Sequence, residues 1–158
     1  MSPPSPLIAP AITRLDPNEY WEGVQQAAPV LDQFIDQELE AAGLTMADLV
    51  LVGFSQGTMM ALHVGLRRAE PAAGIVGFSG ALAGPEHLAD EITAKPPVLL
   101  VHGEADEVIP VQAIHQASQA LGGAGVSVRW HVSPGIGHGI DGVGLNLAAE
   151  FLRDVFSG

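Results

Sequence analysis

The spacing of apolar residues changes character along the chain. Between residues 18 and 42 they recur at helical intervals, with acidic residues on the opposite side, so this segment predicts an amphipathic helix. Gly43 follows directly and is the residue type that most readily ends a helix. Pro29 lies inside the segment. Because proline cannot donate the helical hydrogen bond, it predicts a kink or a division into two helices.

After residue 43 the pattern becomes an alternation of short apolar runs and helical segments. The apolar runs, which predict buried strands, cover residues 49–54, 74–78, 98–102 and 126–132. The helical segments cover residues 56–69, 85–92, 111–121 and 145–156. Strands that alternate with helices form parallel sheets, so the chain predicts an α/β fold with a mostly parallel sheet of about four strands and helices on both faces. Ligand sites in such sheets lie at the carboxyl ends of the strands.

The chain has 158 residues, the length of one domain, and the pattern divides it into two parts. Residues 1–17 are rich in proline and predict an irregular segment, of which residues 7–12 have the composition to lie extended. Residues 18–158 predict a single α/β domain without a linker or an internal repeat.

The charge balance narrows the classes of partner. Eighteen Asp and Glu residues against six Lys and Arg residues give a net charge of −12, which argues against binding nucleic acid or an anionic membrane surface. No apolar run approaches the ~20 residues of a membrane span, and the N-terminus has no signal-peptide pattern, so we expect a cytoplasmic protein. The absence of cysteine excludes disulfides, thiolate metal sites and a cysteine nucleophile.

The first predicted strand ends in the sequence GFSQG, residues 53–57, and a predicted helix follows. This is the strand–turn–helix context of a nucleophile elbow, in which Ser55 is lifted above the sheet in a strained conformation. We expect side chains at Gly53 and Gly57 to collide in so tight a turn. The N–H of Gln56 at the start of the helix is then the candidate oxyanion donor. The alternative interpretation is a tight structural turn.

A serine nucleophile needs a base that is oriented by an acid. Asp106 follows the third predicted strand and is the candidate acid, with Glu104 and Glu107 as rivals. His138 stands between two glycines after the fourth strand and is the candidate base, while His102 is expected to hold the loop that carries Asp106. No group of side chains has metal-ligand spacing, so neither a metal nor a cofactor is expected. The order Ser, Asp, His is that of α/β-hydrolases.

Four blocks carry a resemblance to a known family: LVGFSQG at 51–57, GFSGAL at 77–82, HGEADEVIP at 102–110 and GIGHGI at 135–140. With these blocks in this order, the chain resembles the phospholipase/carboxylesterase family of α/β-hydrolases, which includes the acyl-protein thioesterases. The resemblance implies that Ser55 is the nucleophile, His138 the base, Asp106 its orienting acid and Gln56 an oxyanion donor. It also implies hydrolysis of a small-molecule carboxylic ester or thioester. From their loops, Leu82, Val108, Ile109 and Ile136 are expected to line the acyl pocket, with core packing as the alternative.

The resemblance is incomplete in one respect. Members of the family have earlier strands and an H-G-x-G loop that supplies a second oxyanion N–H, and no such block precedes Asn18. Two interpretations stay open, a truncated chain or a remodelled N-terminal segment. Two functions stay open with them: a serine esterase or thioesterase, and a non-catalytic remnant that lacks a complete oxyanion hole.

The missing strands also predict an exposed apolar edge along residues 49–54. Phe34, Met59 and Met60 should then be partly open to solvent. Residues 7–12 could pair with this edge, but Pro10 removes one hydrogen-bond donor. We therefore expect two chains to associate as a symmetric homodimer.

Overall fold

A parallel sheet of four strands lies at the centre of the computed structural model, which describes residues 16–157 of the chain. The strands are β1 (Val50–Phe54), β2 (Gly74–Phe78), β3 (Val98–Gly103) and β4 (Val128–Ser133). They lie in the order β1-β2-β3-β4, and every neighbouring pair is parallel. The predicted α/β fold with a reduced parallel sheet is confirmed. All four strands therefore direct their carboxyl ends to the same edge of the sheet.

Five α-helices within the described residues connect and cover the strands. They are α1 (Pro17–Ala42), α2 (Gln56–Gly65), α3 (Leu88–Glu91), α4 (Gln112–Gly123) and α5 (Gly142–Phe156). Short 3₁₀ turns at Met46–Asp48 and Pro85–His87 precede β1 and α3. No helix within residues 16–157 combines the length and the apolar character that crossing a bilayer requires.

The two faces of the sheet have separate apolar cores. On one face α2 and α4 pack through Leu62 and Ile114 against Ile75 and Leu100 of the sheet. On the other face the aromatic ring of Phe151 in α5 packs against strand residues of β2 and β3. The central strands β2 and β3 are buried along their whole length, which is why their sequences are continuously apolar. This burial fixes the carboxyl end of β3, and the loop with Asp106 follows that end.

Helix α1 is one continuous helix, and the predicted division at Pro29 is wrong. Pro29 and Gln25, whose carbonyl loses its helical donor, are both on the exposed side of the helix, so water can replace the missing bond. The helix begins at Pro17, one residue before the predicted start, because the Asp16 side chain accepts the N–H of Glu19 at 2.9 Å. The predicted extended segment 7–12 lies outside the described residues.

Three other helix ends differ from the prediction. Helix α2 stops at Gly65 rather than at residue 69, since the carbonyl of Leu66 accepts the N–H groups of Thr93 and Ala94. Helix α4 continues through two glycines, and the left-handed residue that follows it is Gly125, at φ 85°. Helix α5 begins at Gly142, three residues early, because the Asp141 side chain caps it.

Strand β1 forms one edge of the sheet in the part of the chain that the structure describes. Its side chains Val52 and Phe54 are 61% and 42% exposed. Beside the strand, an apolar groove of about 570 Å³ runs between α1, β1 and α2. Phe34 on α1 is exposed and Met60 is half-buried, as expected, but Met59 is only 1% exposed. The expectation for Met59 is wrong because its side chain packs into the core formed with Val24 and Ile109.

Candidate active site

Ser55 occupies a sharp turn between β1 and α2, with φ 56° and ψ −116°. The turn is held by the N–H of Ser55, which donates to the carbonyl of Phe78 at 2.8 Å. A Cβ at Gly53 would overlap the backbone of Gly57, so glycine is required there. A Cβ at Gly57 itself would meet no atom of the described residues within 4 Å, so the expected collision at Gly57 is wrong.

A chain of hydrogen bonds joins the three residues that the sequence singles out. Nε2 of His138 lies 3.0 Å from Oγ of Ser55, and Nδ1 of His138 lies 2.7 Å from Oδ2 of Asp106. With the proton on Nδ1, the imidazole donates to the carboxylate and accepts from the serine hydroxyl. The His138 ring also rests against the ring of Phe54, with centroids 4.9 Å apart. The loops after three different strands therefore meet at one point.

Asp106 is fixed by its own loop. Its Oδ1 accepts the N–H groups of Val108 and Ile109, both at 2.8 Å, which leaves Oδ2 directed at His138. The Asp106 side chain is fully buried. Nε2 of His102 donates to the carbonyl of Ile109 at 2.8 Å and lies 3.5 Å from Oδ2 of Asp106. This is the supporting contact expected for His102, and it gives the carboxylate a single orientation.

The rival acids do not reach the imidazole. Glu104 is exposed and its Oε1 accepts the N–H of Gly135 at 3.2 Å, which ties two loops together. Glu107 is exposed beside Asp106. Asp106 is therefore the acid that the fold directs toward His138.

Gln56 is the first residue of α2, directly after Ser55. N–H groups in the first turn of a helix have no carbonyl partner within it, and the positive end of the helix dipole lies there. The Gln56 N–H is thus available to an oxygen atom held near Ser55. This is the arrangement that an oxyanion donor requires.

A cavity of about 550 Å³ lies beside the Asp106 loop. Leu82 and Ile109 line it. Val108 packs against the apolar cluster that contains Ile109 and is not a lining residue of this cavity. Ile136 does not line this cavity, and its carbonyl accepts the N–H of Ala105 instead. Two of the four expected pocket residues, Leu82 and Ile109, therefore lie along this cavity.

Tyr20 on α1 also lines this cavity, although its sequence context does not indicate a site residue. Burial, followed by the charges of Asp106 and Asp16, raises the pKa of Tyr20 above its ordinary value of 10.0. In the sequence Tyr20 is one more apolar position of an amphipathic helix, so nothing distinguished it from core.

Within residues 16–157 no three His, Asp or Glu side chains come close enough to hold a metal ion. The chemistry that this arrangement can perform with its own groups is attack by the Ser55 hydroxyl, with its proton passing to His138.

Sequence comparison relates the chain to one protein family. The phospholipase/carboxylesterase family model matches residues 11–156. The chain belongs to this family. The four-stranded parallel sheet is accordingly a reduced form of the α/β-hydrolase sheet.

Individual proteins to which the chain is similar are named as esterases or thioesterases. Acyl-protein thioesterase 1 of Gibberella zeae is 33% identical over 141 residues, which are 86% of this chain and 60% of the fungal protein. A probable inactive carboxylesterase of Oryza sativa is 29% identical over 85% of this chain and 56% of its own length. The crystal structure of esterase PE8 has a TM-score of 0.88 at 45% identity, covering 90% of this chain and 66% of that protein. The chain thus spans 56–60% of the length of these two curated relatives.

Proposed function

We propose that the protein is a serine hydrolase that cleaves carboxylic esters or thioesters through an acyl-enzyme intermediate. The observation that carries the proposal is the hydrogen-bonded chain from Asp106 through His138 to Ser55, with Ser55 at the start of α2. Membership of a family of carboxylesterases and thioesterases supports it.

In the first half-reaction, Oγ of Ser55 attacks the acyl carbon while its proton passes to Nε2 of His138. The carbonyl electron pair moves onto oxygen, and the N–H of Gln56 stabilises the resulting anion. Asp106 accepts the Nδ1 proton as a hydrogen bond and thereby stabilises the imidazolium. The leaving alcohol or thiol takes the proton from His138, which leaves an acylated Ser55.

Water completes the cycle by the same route. His138 removes a proton from water as the oxygen attacks the acyl carbon, and the proton then returns to Oγ of Ser55 as the bond to the acyl group breaks. The carboxylic acid leaves and the free serine is restored. The substrate is a small-molecule ester or thioester hydrolysed in the cytoplasm.

We assign the acyl group to the cavity beside the Asp106 loop. Leu82 and Ile109 supply apolar surface there, and the backbone N–H groups of Val108 and Ile109 hold Asp106. Ile109 thus connects the cavity with Asp106, and an apolar cavity beside a few polar groups is the usual form of a small-ligand pocket.

A fluorophosphonate probe tests the proposal directly. We expect covalent labelling of Ser55 in the folded wild type, loss of labelling in Ser55→Ala, and turnover of p-nitrophenyl acetate that disappears in the same variant. A folded protein whose Ser55 does not react would refute the proposal.

The alternative is a non-catalytic member of the family that keeps the hydrogen-bonded chain without turnover. Within residues 16–157, no strand pairs with the outer edge of β1 and no atom lies near a Cβ at Gly57, and this favours the alternative because the elbow has no support on that side. The name of the Oryza sativa relative shows the same possibility in a related protein. Loss of one oxyanion donor costs about 10²–10³ in rate. Labelling of Ser55 without turnover above Ser55→Ala would select this alternative.

A further inference from the structure

Two serines have a backbone conformation that glycine adopts far more readily. Within residues 16–157, Ser55 at φ 56° and Ser79 at φ 51° are the non-glycine residues with positive φ. Such strain persists only where the surroundings enforce it, and it is concentrated at functional sites. The nucleophile turn accounts for Ser55. The proposed mechanism gives Ser79 no role.

Ser79 follows β2 directly and lies between the two halves of the site. The residue before it, Phe78, accepts the N–H of Ser55 at 2.8 Å, so the end of β2 holds the serine turn. The side-chain hydroxyl of Ser79 donates to the carbonyl of Gly139 at 3.1 Å. Because Gly139 is the residue after His138, the end of β2 holds the histidine loop as well.

The histidine loop has few other attachments near the imidazole. At its start, the carbonyl of Ile136 accepts the N–H of Ala105 at 2.9 Å. In the described part of the chain, the hydrogen bonds that residues 137–140 make outside the loop are those of the His138 ring and the one from Ser79. The hydrogen bond from Ser79 therefore holds the backbone of the histidine loop next to the imidazole.

We propose that Ser79 is a positioning residue whose hydroxyl fixes the Gly139 carbonyl and so aims the His138 ring at Ser55. The inference rests on the proposed serine-hydrolase function. Glycine would take φ 51° without strain, and glycine does occupy position 80. What serine supplies at position 79 and glycine lacks is the hydroxyl. Since Ser79 is fully buried, that hydroxyl serves the Gly139 carbonyl rather than water.

Two substitutions separate the hydroxyl from the backbone strain. Ser79→Gly removes both, whereas Ser79→Ala removes the hydroxyl and keeps the strain. Thr93→Val is the matched control, because it deletes a hydroxyl bond to a backbone carbonyl, that of Arg68, away from the site. The readouts are kcat and KM for p-nitrophenyl acetate, the rate of Ser55 labelling, and the midpoint of thermal unfolding.

We expect Ser79→Gly to lower kcat and the labelling rate roughly ten- to a hundredfold, the cost of a small misplacement of a reacting group. KM should not change, since the hydroxyl does not touch substrate. The unfolding midpoint should equal or exceed that of the wild type, because the strain is gone. Ser79→Ala should lose rate equally and unfold at a lower temperature, and Thr93→Val should react as the wild type does.

A proton NMR measurement tests the position of His138 without turnover. The Nδ1 proton shared with Asp106 gives a low-field resonance, assigned by its loss in His138→Gln. In Ser79→Gly we expect this resonance to shift or broaden. An unchanged resonance together with a wild-type labelling rate would overturn the proposal. If wild-type Ser55 is never labelled, the proposed function fails, and the resonance in Ser79→Gly still decides whether Ser79 positions His138.

Discussion

At the scale of single residues, the orientation of His138 depends on one carboxylate oxygen. Oδ2 of Asp106 lies 2.7 Å from Nδ1, while Oδ1 is held by two backbone N–H groups. In Asp106→Asn the amide can keep the contact but cannot hold the proton on Nδ1 or balance the imidazolium charge. We therefore expect kcat to fall by about 10³–10⁴-fold, measured with p-nitrophenyl acetate. The neighbouring Glu107→Gln is the control and should keep wild-type kcat, whereas an equal loss in both variants would contradict the assignment.

His63 on α2 makes the free energy of unfolding depend on pH. Burial, and next the charge of Arg67, lowers the pKa of His63 from 6.5 to about 4. The unfolded chain binds a proton at His63 below pH 6.5, whereas the folded protein resists it until about pH 4. The free energy of unfolding is therefore unaffected by this group above pH 6.5 and decreases as the pH falls from 6.5 toward 4.

Replacement of the imidazole tests this prediction. Urea unfolding at pH 7.5 and pH 5 should show a smaller loss of stability in His63→Gln than in the wild type. His115→Gln is the control, because His115 is also helical but exposed, and it should keep the wild-type loss. Equal losses in all three proteins would show that other groups cause the acid sensitivity.

At the scale of elements, the turn between β1 and α2 makes unequal demands on its two glycines. A Cβ at Gly53 would overlap the backbone of Gly57, but a Cβ at Gly57 meets nothing within 4 Å in the described residues. We expect Gly53→Ala to lower the unfolding midpoint and abolish labelling of Ser55, because the backbone of the turn must move. Gly57→Ala should retain both, and since alanine favours helix it should raise stability slightly. If Gly57→Ala were the more damaging of the two substitutions, another group would occupy the open side of the turn in solution.

The strands could be predicted from the sequence, and most helix ends could not. Strand β2 has the predicted bounds because its burial on both faces requires a continuous apolar run. The end of α2 depends on N–H groups of Thr93 and Ala94, which no local pattern reveals. The collision expected at Gly57 is wrong for a related reason, since it requires a neighbour on the side of β1 where the described residues provide none.

The candidate site could be predicted from the sequence because each of its three residues follows a predicted strand. Parallel strands end at one edge of the sheet, so Ser55, Asp106 and His138 could be expected to meet, and the structure places them within hydrogen-bonding distance. The sequence pattern did not indicate Ser79 or Tyr20 as residues close to the site. The hydroxyl of Ser79 contacts a backbone carbonyl 60 residues away in the chain. Because every residue has a backbone carbonyl, the sequence does not indicate this partner.

At the scale of the whole molecule, the described residues leave the β1 edge of the sheet partly uncovered. Helix α5 packs against β2, β3 and β4, and its core reaches β1 at Val50, whereas Val52 and Phe54 further along β1 are exposed. On the adjoining helix, Val30 and Phe34 are 72% and 56% exposed beside the groove. Patches of this kind on a free edge strand are sites of association.

We propose that a second copy of the chain covers this edge. Two β1 strands can pair antiparallel about a two-fold axis, which brings both grooves into the same interface. The net charge of −12 opposes association, but screening over ~8 Å at physiological salt weakens the repulsion. Sedimentation velocity at micromolar concentration should therefore show a dimer whose stability increases with salt.

A charge placed on the edge tests this arrangement. Val52→Lys sets an ammonium group on the free edge strand and should convert the dimer to a monomer. Trp130→Lys adds the same charge to β4 at the opposite edge, where the side chain is 51% exposed, and should leave the dimer intact. A wild-type protein that sediments as a monomer and binds no hydrophobic dye would contradict the proposal. In that case residues 1–15, which contain Leu7, Ile8 and Ile12, are the next candidates to cover the groove. A deletion of residues 1–12 that restores dye binding would identify them.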